Sequence, residues 1–286
     1  MLALLLCLAS ASPWACRPQQ ILWRVVQLRL EGFGDDAEGA RLRAGVAAAL
    51  AASPGFAVQL EGDDADQDRD VDLQLRLMGQ GLQVSLAPHV GFGAQFEAVV
   101  PLQGQAELPQ AVAEGLGAAL TAIRAMKRAD DGGLQKLRAA LAPPEQGSAQ
   151  TVVSFNLQFF AVRRLAQRRD LGALGALRGL VVRAGAPGAT PQDEALALQA
   201  VGSLVALGDR QAVLPMIALT RQRPPTFVVQ MAHAIGALGG PMAEAFLVTL
   251  ASGHLDGEVR EAAATALDEL GRRGPLPPGH GTLSIP

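Results

Sequence analysis

Ala200–Asp209 (AVGSLVALGD), Met231–Gly240 (MAHAIGALGG) and Ala263–Arg272 (AATALDELGR) repeat one pattern. A small or apolar residue is followed four positions on by an aliphatic one, three later by a leucine, and then at once by glycine. Steps of four and three place the apolar residues on one face of an α-helix. Glycine, which enters the left-handed region without strain, is suited to end it as a C-cap. The glycines Gly208, Gly239 and Gly271 are 31 and 32 residues apart, and a degenerate copy, Ala161–Asp170 (AVRRLAQRRD), begins 39 residues before Ala200. The excess falls in the Gly/Pro-rich insert Ala184–Gln192. Between copies there is room for a second helix, as in Gln211–Arg221 and Met242–Ala251. Pro215 is compatible with the first turn of such a helix, where the amides lack intrahelical partners. Each helix pair then leaves an apolar face that only its neighbour can cover, and the expected architecture is an all-α solenoid with an elongated, curved surface.

The phrases Gly208-Asp209-Arg210-Gln211-Ala212-Val213-Leu214-Pro215 and Glu258-Val259-Arg260-Glu261-Ala262-Ala263 resemble those of the HEAT-repeat family, in particular the short repeats of phycobilisome-lyase-like proteins. The resemblance covers about Ser154 to Arg273; the alternative is an Ala/Leu-rich helical bundle without repeats. In HEAT-like stacks the second helices line the concave face. The resemblance therefore makes Arg178, Arg210 and Arg221 candidates for a shared polar groove that meets a protein partner. Arginine joins carboxylates in bidentate geometry and is enriched at interfaces, so an acidic protein surface is the expected complement.

Toward the N-terminus the periodicity changes. Ile21–Leu30 (ILWRVVQLRL) reads as a strand, Ala37–Ala52 as a helix through Leu42, Val46 and Leu50, and Phe56–Leu60 as a short strand. Val71, Leu73, Leu75 and Leu77 alternate with polar residues, as do Leu82, Val84 and Leu86, with Gly79–Gly81 as the turn between them. Gln95–Leu102 fits a further strand and Leu108–Met126 a further helix. The expected order is β-α-β-β-β-α, an α/β domain in which helices back a sheet. That order, together with LRAGVAAALAASPGFAV at Leu42–Val58 and the alternating hairpin, resembles the small domain that opens TolB-type periplasmic proteins and related outer-membrane lipoproteins. It covers about Leu22 to Arg128; the family's opening strand ends in Pro-Phe where this chain has Leu30, Glu31 and Gly32, and no functional residue carries over.

The expected organisation is a signal and short tether over residues 1–20, the α/β domain over 21–128, a linker with a short helix over 129–153, the solenoid over 154–274 and a Pro/Gly-rich tail over 275–286. Ala142–Gln150 (APPEQGSAQ) is the best linker candidate within it. Leu2–Ala11 is too short to span a bilayer but suits the apolar core of a secretory signal, which predicts export to the periplasm or the periplasmic face of the outer membrane. Ala9 and Ala11 precede a cleavage point at Ser12, yet no Lys or Arg precedes the run, which leaves open whether Met1 is the true start. Cys16 after Ala15 suggests a bacterial lipobox and a lipid tether, although Pro13 stands where such motifs carry an aliphatic residue; the alternative is a cleaved, soluble chain. With Cys7 and Cys16 as its cysteines, the mature chain holds no internal disulfide under either cleavage.

Charge argues against nucleic acid. There are 12 basic against 17 acidic residues before Thr151 and 12 against 10 after it, so neither half has a basic excess suited to phosphates. Gly32-Phe33-Gly34 with Ala37 matches the spacing of a dinucleotide fingerprint, but Asp35 and Asp36 stand where a pyrophosphate would dock and the downstream hairpins are expected to break the parallel βαβ unit. Asp63, Asp64, Asp66, Asp68, Asp70 and Asp72 alternate as calcium ligands can, yet Arg69 and Leu75 occupy the glycine and glutamate positions of an EF-hand, which favours a solvated acidic loop. His89, His233, His254 and His280 lack zinc spacing, no nucleophile elbow is present, and Arg163, Arg164, Arg168 and Arg169 read as a charged helix face. The expected function is a non-catalytic exported adaptor without cofactor or metal. The alternatives are a structural subunit of an envelope assembly and a lyase-like enzyme related to the bilin lyases.

Overall fold

The computed structural model describes residues 23–34, 36–52, 56–58, 70–78, 81–88, 95–102, 107–142 and 150–272. The signal segment with Cys7 and Cys16, the loop carrying Asp63, Asp64, Asp66 and Asp68, His89, His280 and the tail lie outside them. Two compact units are divided between Arg124 and Ala125.

The first unit has the order β1 (Trp23–Glu31), α1 (Ala37–Ala52), β2 (Phe56–Val58), β3 (Asp70–Met78), β4 (Gly81–Pro88), β5 (Phe96–Pro101) and the greater part of α2 (Leu108–Asp131). The sheet runs β2-β1-β3-β4-β5, with β1 parallel to both β2 and β3 and the remaining pairs antiparallel. Its buried face carries Val71, Leu73 and Leu75 of β3, Leu82, Val84 and Leu86 of β4, and Phe96 of β5. Their period of two meets the period of about 3.6 in Val112, Leu116, Leu120 and Ile123 of α2. Gly115 lets α2 approach closely: a Cβ there would lie 2.6 Å from Val84 Cγ2. The parallel β1-α1-β2 crossover corrects the expectation that hairpins break such a unit. The helix start is nevertheless filled from within, since Gly39 N–H donates to Asp36 Oδ1 at 2.8 Å.

The second unit is helical. After the end of α2 come α3 (Gly133–Ala139), α4 (Gln150–Gln167), α5 (Leu174–Ala184), α6 (Pro191–Leu207), α7 (Val213–Leu219), α8 (Pro225–Leu238), α9 (Pro241–Gly253) and α10 (Gly257–Arg272). One-turn 3-10 segments, Leu171–Ala173 and Arg210–Ala212, lead into α5 and α7. Two rows of contact link alternate helices. In one, α4 touches α6, α6 touches α8 and α8 touches α10; in the other, α5 touches α7 and α7 touches α9. Residues 129–142, expected within the linker, pack here: α3 contacts α4, and the Gln158 side-chain amide donates to the Ala142 carbonyl.

Local sequence explains most helix ends. Gly208 is left-handed with φ 71° and caps α6, while Thr190 and Asp193 form a reciprocal capping box at its start. Arg169, with φ 51°, takes the Gly208 position after α4. Gly239 has φ 66° but an extended ψ of −169°, so it ends α8 without the left-handed cap expected. Gly271 departs further, since it lies inside α10 and caps nothing. Pro215 is the third residue of α7, where its missing N–H costs no bond.

The first-row helices meet through Leu196, Ala200 and Leu204 of α6 and Met231, Ala232 and Ile235 of α8, all buried. At Gly236 a Cβ would come within 2.8 Å of Ala266 Cβ, so α8 and α10 touch nearly backbone to backbone. Leu204 is fully buried. Leu204→Asp should therefore destabilise the helical unit by at least about 3 kcal/mol, combining a lost core leucine with a carboxylate that has no partner. Urea titration of the full chain followed by circular dichroism checks this; a midpoint unchanged from the wild type would place Leu204 outside the core.

Candidate interaction surface

The turns that lead from α4 to α5 and from α6 to α7 each hold a carboxylate. Asp170 caps the 3-10 turn after α4 by accepting from Gly172 N–H, and Asp209 repeats this after α6 by accepting from Gln211 N–H. Both are buried, so each needs a counter-charge. The helix that precedes the intervening first-row helix supplies it. Arg138 of α3 meets Asp170 with two guanidinium bonds, Nε at 2.6 Å, and Arg178 of α5 places Nε 3.3 Å from Asp209 Oδ2. That second pair is an ion pair without a hydrogen bond: Asp209 Oδ2 receives none, and Arg178 Nε donates to the Leu174 carbonyl. Arg178 Nη1 donates to Gln211 Oε1. In the next turn Gly240 replaces the aspartate.

Arg178 is therefore engaged within the fold. Arg210, in the 3-10 turn before α7, and Arg221, just beyond its C-cap, are both exposed. Eleven residues separate them, about 16 Å along a helix, so the three arginines do not converge on one point. Of the other basic group, Arg164 grips Asp130 with two bonds of 2.8 and 3.0 Å, and Arg168 adds one of 2.6 Å. Those two share one carboxylate near the end of α2.

The exposed apolar residues carry more information. Leu171, Val182, Leu214, Met242 and Val248 are each more than half exposed and belong to α5, α7, α9 or the turn entering α5, while Leu255, almost fully exposed, lies in the turn between α9 and α10. No large apolar side chain is exposed on α4, α6, α8 or α10, whose outward residues include Arg163, Gln167, Gln230, His233, Glu261 and Asp268. Along α5 the exposed positions Gly175, Ala176 and Gly179 carry little or no side chain, and the space a Cβ would occupy at either glycine is empty. Mid-helix glycine costs roughly 1 kcal/mol against alanine, and no contact within this unit offsets it.

In the first unit the outward sheet face is polar. Ser85 and Ala87, short between Arg29, Asp72, Gln74 and Gln95, leave a shallow depression of about 250 Å³. Gln74 Nε2 donates to Glu31 Oε1 at 2.7 Å, which holds one wall. Among the described residues no group of three or more His, Cys, Asp or Glu is placed to hold a metal ion. His233 is exposed on α8, and His254 accepts from Asp256 N–H through Nδ1.

Sequence reading passed over Asp170, Asp209 and Arg138. A signal existed: an aspartate follows the cap in two copies, and an arginine precedes each by 32 and 31 residues. The exposed aliphatics were hidden among the many that face the core.

Two predictions follow from the ion pairs. Arg178→Ala should cost about 1–3 kcal/mol, because it strands a buried carboxylate, while Arg210→Ala and Arg221→Ala should each stay within about 0.5 kcal/mol of wild type in thermal or urea unfolding. The second concerns acid. The Arg138 bonds, helped by Gly172 N–H, hold the Asp170 carboxyl below its ordinary value of 3.8. A carboxyl depressed in the folded state contributes fully above the unfolded value and loses that contribution as pH falls through the folded one. Stability measured from pH 6 downward should hence drop below about pH 4 by a larger margin in wild type than in Asp170→Asn; superimposable acid limbs would remove Asp170 from the account.

No protein-family model matches the chain, and comparison with curated proteins and with solved structures returned no match.

Proposed function

We propose that the chain is an exported, non-catalytic protein-interaction adaptor whose helical unit is a HEAT-like solenoid that binds its partner through the second-row helices. The observation that carries the reading is the segregation of exposed aliphatics: Val182, Leu214, Met242 and Val248 stand on second-row helices and Leu171 on the turn entering α5, Leu255 lies in the turn between α9 and α10, and none stands on a first-row helix. Apolar surface raises the free energy while it faces water, and covering it with a partner lowers the free energy. The near-regular repeat spacing and the two rows of alternate-helix contacts support the solenoid. Export rests on Leu2–Ala11, and a lipid on Cys16 is the proposed tether where the signal is processed at that residue.

The adaptor reading is tested by placing a photo-crosslinking phenylalanine analogue at Leu214 or Met242, and at Gln230 or Glu261 as first-row controls, in cells of the native host. A discrete adduct from the second-row positions and none from the controls is the expected result. Equal labelling from both rows, or none from either, would defeat it. Mass spectrometry of the mature N-terminus tests export separately: retention of Met1–Ala11 in a cytoplasmic fraction counts against it.

A further inference from the structure

We propose that the outward face of α5, α7 and α9 is a docking site for an amphipathic partner helix that carries a short apolar stripe with a carboxylate at each end. The inference rests on the adaptor reading and narrows it to one class of occupant. Its starting point is α7 and the turns at its two ends, where the exposed residues Arg210 of the 3-10 turn, Leu214 and Ala218 of α7, and Arg221 beyond its C-cap recur at steps of four, four and three. Leu171, in the turn entering α5, and Val182 of α5 are exposed on one side in the row, and Met242 and Val248 of α9 on the other. The centre of the face is apolar, and its two ends along α7 are cationic.

Charge selects a helix over a second copy of the chain. Packed helices lie about 8–10 Å apart, so the axes of three in a row span about 16–20 Å, and the α7 stripe is about 16 Å long. A twofold pairing of this face with itself would bring the cationic ends of two copies together, and like charges set against each other oppose association. A single helix is about 10–12 Å wide with its side chains and fits along such a strip, burying anchors at i, i+4 and i+7. The α5 flank favours close approach, because Gly175 and Gly179 leave open space where side chains would stand.

Charge selects the sign of the partner. Arg178 and Arg183 are held by Asp209 and Asp193, whereas Arg210 and Arg221 form no ion pair among the described residues. The one exposed carboxylate on α5, α7 and α9 is Glu244. The face thus carries an excess of unpaired guanidinium groups, whose fork geometry suits carboxylates. Eleven residues separate them, so a helix lying along α7 would meet both with Glu or Asp at i and i+11 and aliphatic residues at i+4 and i+7.

The test uses the full chain and two fluorescein-labelled, side-chain-stapled helical peptides of 16 residues. They share an alanine-rich background with leucines four and seven positions after the first charged site; one carries Glu at that site and eleven residues later, the other Lys at both. By anisotropy the Glu peptide should bind at least about tenfold more tightly than the Lys peptide, and the double variant Arg210→Glu/Arg221→Glu should invert that preference. Leu214→Asp should weaken both peptides at least about tenfold. The charge swap changes only exposed residues, so it remains decisive where Leu214→Asp perturbs folding. Equal binding of the two peptides, binding of neither, or a preference that survives the swap would overturn the inference. Crosslinking at Leu214 without peptide binding would leave the adaptor reading standing and refute the acidic helix alone. Sedimentation that shows a dimer dissociated by Leu214→Asp would assign the face to a second copy and refute it as well.

Discussion

A carboxylate taken out of water must be met by a counter-charge, and the helical unit is organised around that requirement at Asp170 and Asp209. Each caps the turn into a second-row helix, and each is answered by an arginine from the helix before the intervening first-row one, α3 for Asp170 and α5 for Asp209. The pairing therefore joins segments separated in sequence by a whole first-row helix. Apolar packing between alternate helices is permissive, because aliphatic side chains accept several registers. A forked guanidinium facing a buried carboxylate accepts far fewer. The aliphatic contacts hold the rows together, and the two ion pairs fix where one pair of helices sits against the next.

The device does not extend to the end of the chain. Gly240 occupies the third carboxylate position, and Ile217 stands eight residues after Asp209, just as Arg178 stands eight after Asp170. Both halves of the pair have been replaced together, which leaves no orphaned charge behind. Contact between α8 and α10 compensates through size: Gly236 admits Ala266 at a distance no other residue would allow. One part of the unit is thus registered by charge and the other by close backbone approach.

How far this was legible varied with the physics. The helix periodicity and the cap at Gly208 could be read directly, because spacing and a left-handed glycine are local properties. The β-α-β-β-β-α order could be read for the same reason. Strand pairing could not: β1 sits between β2 and β3, parallel to both, and that arrangement depends on crossovers rather than on any local signal. Gly271 was misjudged because a glycine at a repeat position need not end a helix: here it takes a helical conformation within α10. Arg178 was legible as a second-row arginine but not as the partner of Asp209, since a guanidinium that stabilises a neighbour and one that waits for a ligand have the same local sequence.

That distinction separates the two faces of the second row. Inward, α5 and α7 supply core residues, and α5 also the arginine that faces Asp209. Outward, α5 carries glycines at 175 and 179 with open space beside them, and both helices carry aliphatic side chains that are more than half exposed. Each of these choices lowers the stability of the isolated chain: glycine through the entropy of the unfolded state, and exposed leucine, valine and methionine through hydration. Alanine, lysine or glutamate at these positions would fold at least as well. Residues that cost stability in the free protein and lie together on one face are accounted for most simply by a bound state in which they are covered. The first row shares the glycine cost at Gly202 of α6, which is exposed with open space beside it, but its outward residues include no large aliphatic side chain.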